Sequence, residues 1–95
     1  MNKVFNVQTI LSCLDDYMMR IGKTRISDIE ANHELARAGV MEDDSVYPGE
    51  PLRAFLRGLR DTNMLPKNIH LQHSSWSISH SKTNAKTLQI FNGYD

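Results

Sequence analysis

Three arginines carry the clearest chemical signal in this sequence. Arg53, Arg57 and Arg60 recur at i, i+4 and i+7 within Pro51-Leu-Arg-Ala-Phe-Leu-Arg-Gly-Leu-Arg60. On a helix that spacing sets all three guanidinium groups along one stripe. A guanidinium is a planar fork of paired donors, suited to phosphate oxygens and to the O6 and N7 edge of guanine. Lys67, Lys82 and Lys86 could extend the same basic surface. The stripe also suits an acidic protein partner, or a solvated face paired with Asp61 or with the acidic run Glu42-Asp43-Asp44.

Other reactive residue types lack the spacing that chemistry needs. His70, His73 and His80 have no accompanying cysteine pair, and His70 and His73 face opposite sides of an extended segment. These three are expected as surface or hairpin histidines. Gly22-Lys23-Thr24 resembles the end of a phosphate-binding loop, but Tyr17 stands where that loop requires glycine, and a helix precedes it. Glu42, Asp43 and Asp44 lack the glycine and ligand spacing of a calcium loop, so a solvated acidic loop is expected. Cys13 with His33 has no local signature of a nucleophile and its base, and Cys13 is expected as a small buried hydrophobe. The single tryptophan, Trp76, is expected in the core. The reading is a chain with no catalytic residues, no metal and no cofactor.

Ninety-five residues, 40% hydrophobic and 23% charged, suit one domain with one modest core, residues 1–95, whose segment 81–95 is a last strand or tail. No stretch reaches the roughly 18 apolar residues of a membrane helix. Asn6, Gln8, Asp15 and Asp16 interrupt any signal-peptide core. One cysteine and no Asn-x-Ser/Thr sequon fit a reducing, cytoplasmic setting. Net charge is zero, yet residues 1–50 hold five Lys/Arg against nine Asp/Glu, and residues 51–95 hold six against two. That asymmetry is consistent with one acidic and one basic face.

The elements that must position the arginines follow from periodicity. Val7, Ile10, Leu11, Leu14, Met18 and Ile21 have helical spacing, with Gly22 placed to end the helix. Thr24–Ile26 suits a short extended piece. Ser27-Asp28-Ile29-Glu30 is a capping-box pattern, in which the serine accepts from the Glu30 amide and Glu30 reaches back to the Ser27 amide. It opens a helix to about Ala38, stopped by Gly39. Residues 40–50 read as a loop, and Pro51 opens a third helix with Leu52, Phe55, Leu56 and Leu59 on its apolar stripe, ending near Asn63. Beyond Pro66 the period becomes two. Ile69 and Leu71, then Trp76 and Ile78, predict a β-hairpin turning at His73-Ser74-Ser75, and Thr87–Phe91 suits a further strand.

The fold class is therefore α+β, ordered helix, short strand, helix, helix, hairpin. Over about residues 4–80 this order resembles the winged-helix superfamily. The resemblance implies that helix 51–63 enters the DNA major groove and that the hairpin 69–79 is the wing. This chain departs from that pattern in a longer loop before the third helix and in a hairpin tip with almost no basic residue. The first functional expectation is a non-enzymatic protein docking on double-stranded DNA through Arg53, Arg57, Arg60, Lys67, Lys82 and Lys86. It implies a homodimer, with Thr87–Phe91 as the candidate for pairing between chains. The alternative is a protein-binding adaptor or inhibitor that uses the acidic 42–44 loop or a strand edge.

Overall fold

A computed structural model describes residues 6–81. Lys82, Lys86 and Thr87–Phe91 lie outside the described residues. The chain runs α1 (Val7–Ile21), β1 (Arg25–Ser27), α2 (Asp28–Arg37), α3 (Glu50–Asp61), β2 (Ile69–Gln72) and β3 (Ser75–Ser79). This is an α+β domain with three helices and a three-stranded antiparallel sheet ordered β1-β3-β2. Among the described residues no helix is long and apolar enough to cross a membrane.

Local chemistry accounts for most helix ends. Asn6 Oδ1 accepts from the amides of Gln8 and Thr9, satisfying donors that the first turn of α1 leaves open. Gly22, at φ 72°, stops α1 in the left-handed conformation that glycine tolerates best. Ser27 Oγ accepts from the Glu30 amide at 3.1 Å, so one arm of the expected capping box forms. The other arm does not. The Glu30 carboxylate accepts from the Tyr17 hydroxyl at 2.7 Å and from Lys23 Nζ at 3.3 Å, tying α2 to α1. A second tie lies one turn on. The buried Glu34 carboxylate accepts from Arg37 at 2.6 Å and 2.8 Å and from Arg20 at 3.1 Å. Those guanidinium bonds, Arg37's foremost, hold the Glu34 carboxyl below its ordinary range despite burial.

The sheet supplies the other wall of the core. Ile26, Ile78 and Ile69 align across β1, β3 and β2, and all three are buried. Trp76, two residues from Ile78 and so on the same face, is 3% exposed, as expected of a core residue. α2 lies against this sheet, and Ala31 and Leu35 of α2 share one buried cluster with Ile10, Leu14 and Met18 of α1 and Leu52 and Leu56 of α3. The stripe on α3 is narrower than its spacing suggests: Leu52 and Leu56 are buried, whereas Phe55 and Leu59 are half-buried against the cluster.

The hairpin turn is tighter than expected. Ser75 already belongs to β3, and His73 and Ser74 alone connect the strands, at φ 50° and 67°. Two successive left-handed residues match the twist of a hairpin, but non-glycine side chains adopt that conformation at a cost.

Two stability outcomes follow from this arrangement. Leu56→Ala should destabilise the domain by about 2–5 kcal/mol in a denaturant melt, because it empties a fully buried site in the core. Replacing His73-Ser74 by Asn-Gly should instead raise stability by roughly 1 kcal/mol, since that pair populates the left-handed region readily. A melt showing no gain would mean that these two residues carry no conformational strain.

Candidate nucleic-acid interface

The position of α3 is set at its N-terminus by a polar residue inside the core. Asn32, on α2, is 0% exposed. Its Oδ1 accepts from the Leu52 amide at 2.9 Å, and its Nδ2 donates to the Glu42 carbonyl at 3.1 Å. One side chain thus satisfies a first-turn amide of α3 and holds the start of the preceding loop.

That loop is not simply a solvated acidic segment. Asp43 Oδ1 accepts from the amides of Asp44 and Gly49, at 2.8 Å and 2.9 Å. Asp44 Oδ1 accepts from Val46 and Tyr47, at 2.8 Å and 3.0 Å. These bonds fold the chain back so that Gly49 can start α3 at φ 88°. A Cβ at Gly49 would lie 2.8 Å from Arg53 Nη1 and 3.1 Å from Ile29 Cγ1. Only glycine meets both the left-handed backbone and the close approach of α3 to α2.

The three arginines diverge in role. Arg53 is largely covered, with 23% of its side chain exposed; it reaches Asp28 at 3.6 Å and Glu50 at 3.2 Å. It braces α3 against the start of α2. Arg57 donates to Glu50 at 2.6 Å with 44% of its side chain exposed, and Arg60 lies 3.4 Å from Asp61 with 45% exposed. Glu50 is thus a shared partner, and Arg57 first, then Arg53, hold its carboxyl below the ordinary range. Beside Arg57, on the side away from Arg60, the helix surface is low: Ala54 and Gly58 are exposed, and a Cβ at Gly58 would meet nothing within 4 Å. Lys67, expected beside the stripe, is exposed in the connection to β2 and has no ion pair among the described residues. Lys82 and Lys86 lie outside the described residues.

The remaining candidates separate in the same way. His70 and His73 are exposed on the hairpin, but His80, expected at the surface, is buried with Nδ1 3.8 Å from Asp15. Asp15 also accepts from the Ser81 amide at 2.9 Å, fastening the end of β3 to α1. Among the described residues no three His, Cys, Asp or Glu side chains gather to hold a metal ion. Cys13 is half-buried against the core, where burial first and the Glu34 carboxylate second push its thiol pKa up. A thiol held protonated is a poor nucleophile.

Asn32 and Gly58 were not singled out by sequence pattern. Asn32 had a signal: it occupies a core-facing place in the row Asp28, Ala31, Asn32 and Leu35, where an amide is expected only if it bonds backbone. No family model matches this chain, and no curated protein or solved structure does either.

Asn32→Ala should cost about 2–4 kcal/mol, because it leaves the Leu52 amide and the Glu42 carbonyl buried without their partner. Hydrogen exchange should show the loss at the Leu52 amide before the sheet amides. Unchanged exchange at Leu52 would contradict the assignment.

Proposed function

We propose that this protein is a non-enzymatic, winged-helix-like domain that docks the outer face of α3 on double-stranded DNA. The observation that carries this reading is the composition of that face. Ala54 and Gly58 keep the helix surface low, and Arg57 and Arg60 stand beside it, so a groove wall could approach the backbone closely while guanidiniums reach phosphates. Glycine at an exposed mid-helix site is unfavourable for the fold, and nothing packs where its Cβ would be. Function is the better reason for it. The acidic partners Glu50 and Asp61 do not oppose the reading strongly. Exposed ion pairs contribute little, and a phosphate can take the place of the carboxylate on each arginine. The element order and the sheet order β1-β3-β2 support the winged-helix likeness, with β2 and β3 as the wing. Arg53 belongs to the support of α3 in this reading and not to its contacts.

A protein-binding role is the second reading. It is favoured by the exposure of Val46 and Tyr47, at 72% and 66%, on the loop before α3. The acidic residues of that loop enter it in a changed form, since Asp43 and Asp44 also organise their own backbone.

Binding to a labelled duplex across a salt series separates the two. Arg57→Ala with Arg60→Ala should flatten the slope of log affinity against log salt by up to about 2, at roughly 0.9 per phosphate contact. The fold should persist, as both side chains are exposed. Equal duplex binding by wild type and this folded variant would remove the DNA reading. Gly58 offers an independent check. Gly58→Ala should stabilise the domain by about 0.5–1 kcal/mol, whereas Gly58→Gln should weaken duplex binding although it also favours the helix. Undiminished binding by Gly58→Gln would show that α3 does not approach the duplex closely.

A further inference from the structure

A second surface lies away from the outer face of α3, between α2 and the loop over residues 43–48. It is a hollow of about 520 Å³ with Ile29 and Pro48 in its lining. Ile29 is 52% exposed there, well above what a residue packed on a helix partner shows. Val46 and Tyr47 follow on the same loop and are more exposed still.

The carboxylates that line this hollow outnumber its cations, which stand at its edge as Lys23 on Glu30 and Arg53 beside Gly49. Glu30, Asp43 and Asp44 line it with His33, and no lysine or arginine does. Glu30 is already engaged by Tyr17 and Lys23. Asp43 and Asp44 are different. Each uses Oδ1 to accept loop amides, which fixes its carboxylate in place, and neither Oδ2 has a hydrogen bond or ion pair among the described residues. The amides of Tyr47 and Val46 hold the Asp44 carboxyl below its ordinary range, so it stays ionised. Fixed anions beside an apolar lining match a ligand that is cationic and aliphatic at once, and they repel phosphate.

We propose that this hollow docks a short basic segment of a partner protein, with an aliphatic residue against Ile29 and Pro48 and a Lys or Arg against Asp43 and Asp44. The proposed duplex-binding face and this site share no residue, so the domain could join a nucleic acid to a protein. The site stands on its own geometry and does not depend on the DNA reading.

The test is an amide chemical-shift titration of the full chain with the capped hexapeptide Leu-Lys-Ala-Leu-Arg-Ala. Parallel titrations use the same peptide with Gln, or with Glu, at both basic positions. The basic peptide should displace amides over residues 29–33 and 43–48, and the Gln peptide should bind about tenfold more weakly or worse. Asp43→Asn with Asp44→Asn keeps the Oδ1 acceptors of the loop and removes the charge, so it should fold and lose about tenfold in affinity. Asp44→Asn alone serves if the double variant does not fold, and Ile29→Ser, at an exposed position, should weaken binding as well. Absence of displacement at millimolar basic peptide would overturn the proposal. So would equal binding of the Glu peptide, or undiminished binding by the folded aspartate variant. Concentration-dependent shifts over 29–33 and 43–48 without peptide would assign the hollow to a second copy of this chain instead.

Discussion

The buried amide of Asn32 is the interaction on which the rest of this architecture depends. A helix that begins within a core must find partners for its first amides, and burial makes each unmet donor costly. Asn32 meets the Leu52 amide from one side and secures the Glu42 carbonyl from the other. The loop between them is then closed by Asp43 on Gly49, and the absence of a Cβ at Gly49 lets α3 approach Ile29 of α2. Once its N-terminus is held, Leu52 and Leu56 bury one side of α3 against the core. Ala54, Arg57 and Gly58 are left at the surface as a consequence. Position and exposure of the proposed contact face therefore share one origin in a residue that is itself fully buried.

Electrostatics divides the domain in a way that net charge conceals. The chain is neutral overall. Several of its acidic groups are spent internally, Glu34 on two arginines and Glu30 on Tyr17 and Lys23, while Asp43 and Asp44 each commit one oxygen to loop amides. Glu50 at the head of α3 restrains both Arg53 and Arg57, but at the more exposed Arg57 such restraint is readily exchanged. A domain of this kind would bind duplex DNA through a few positioned guanidiniums and not through a strong overall field. Its affinity would be modest and its salt dependence shallow.

Much of the fold was legible in the sequence because its elements announce themselves locally. Gly22 and Gly39 stop helices, Ser27 caps one, and the change from helical to twofold periodicity after Pro66 marks the hairpin. Leu56 and Trp76 follow directly from those periods. What was not legible depended on partners distant in sequence. Glu30 has the spacing of a capping box, yet Tyr17 and Lys23 offer its carboxylate better partners than the Ser27 amide. The run Glu42-Asp43-Asp44 reads as solvated charge, whereas two of its members are backbone acceptors. Arg53 has the same spacing rule as Arg57 and Arg60, but Asp28 at the head of α2 draws it into a brace. Spacing assigns residues to a stripe; only the packing of α2 on α3 decides which of them remain outside.

The central claim is that the outer face of α3 is the surface that meets a duplex. An amide chemical-shift map of the full chain, titrated with duplex DNA at low and then moderate salt, tests it most directly. Displacements should concentrate at Ala54, Arg57, Gly58 and Asp61 and fade as salt rises. Unmoved α3 amides at saturating duplex, or displacements confined to residues 43–48, would contradict it.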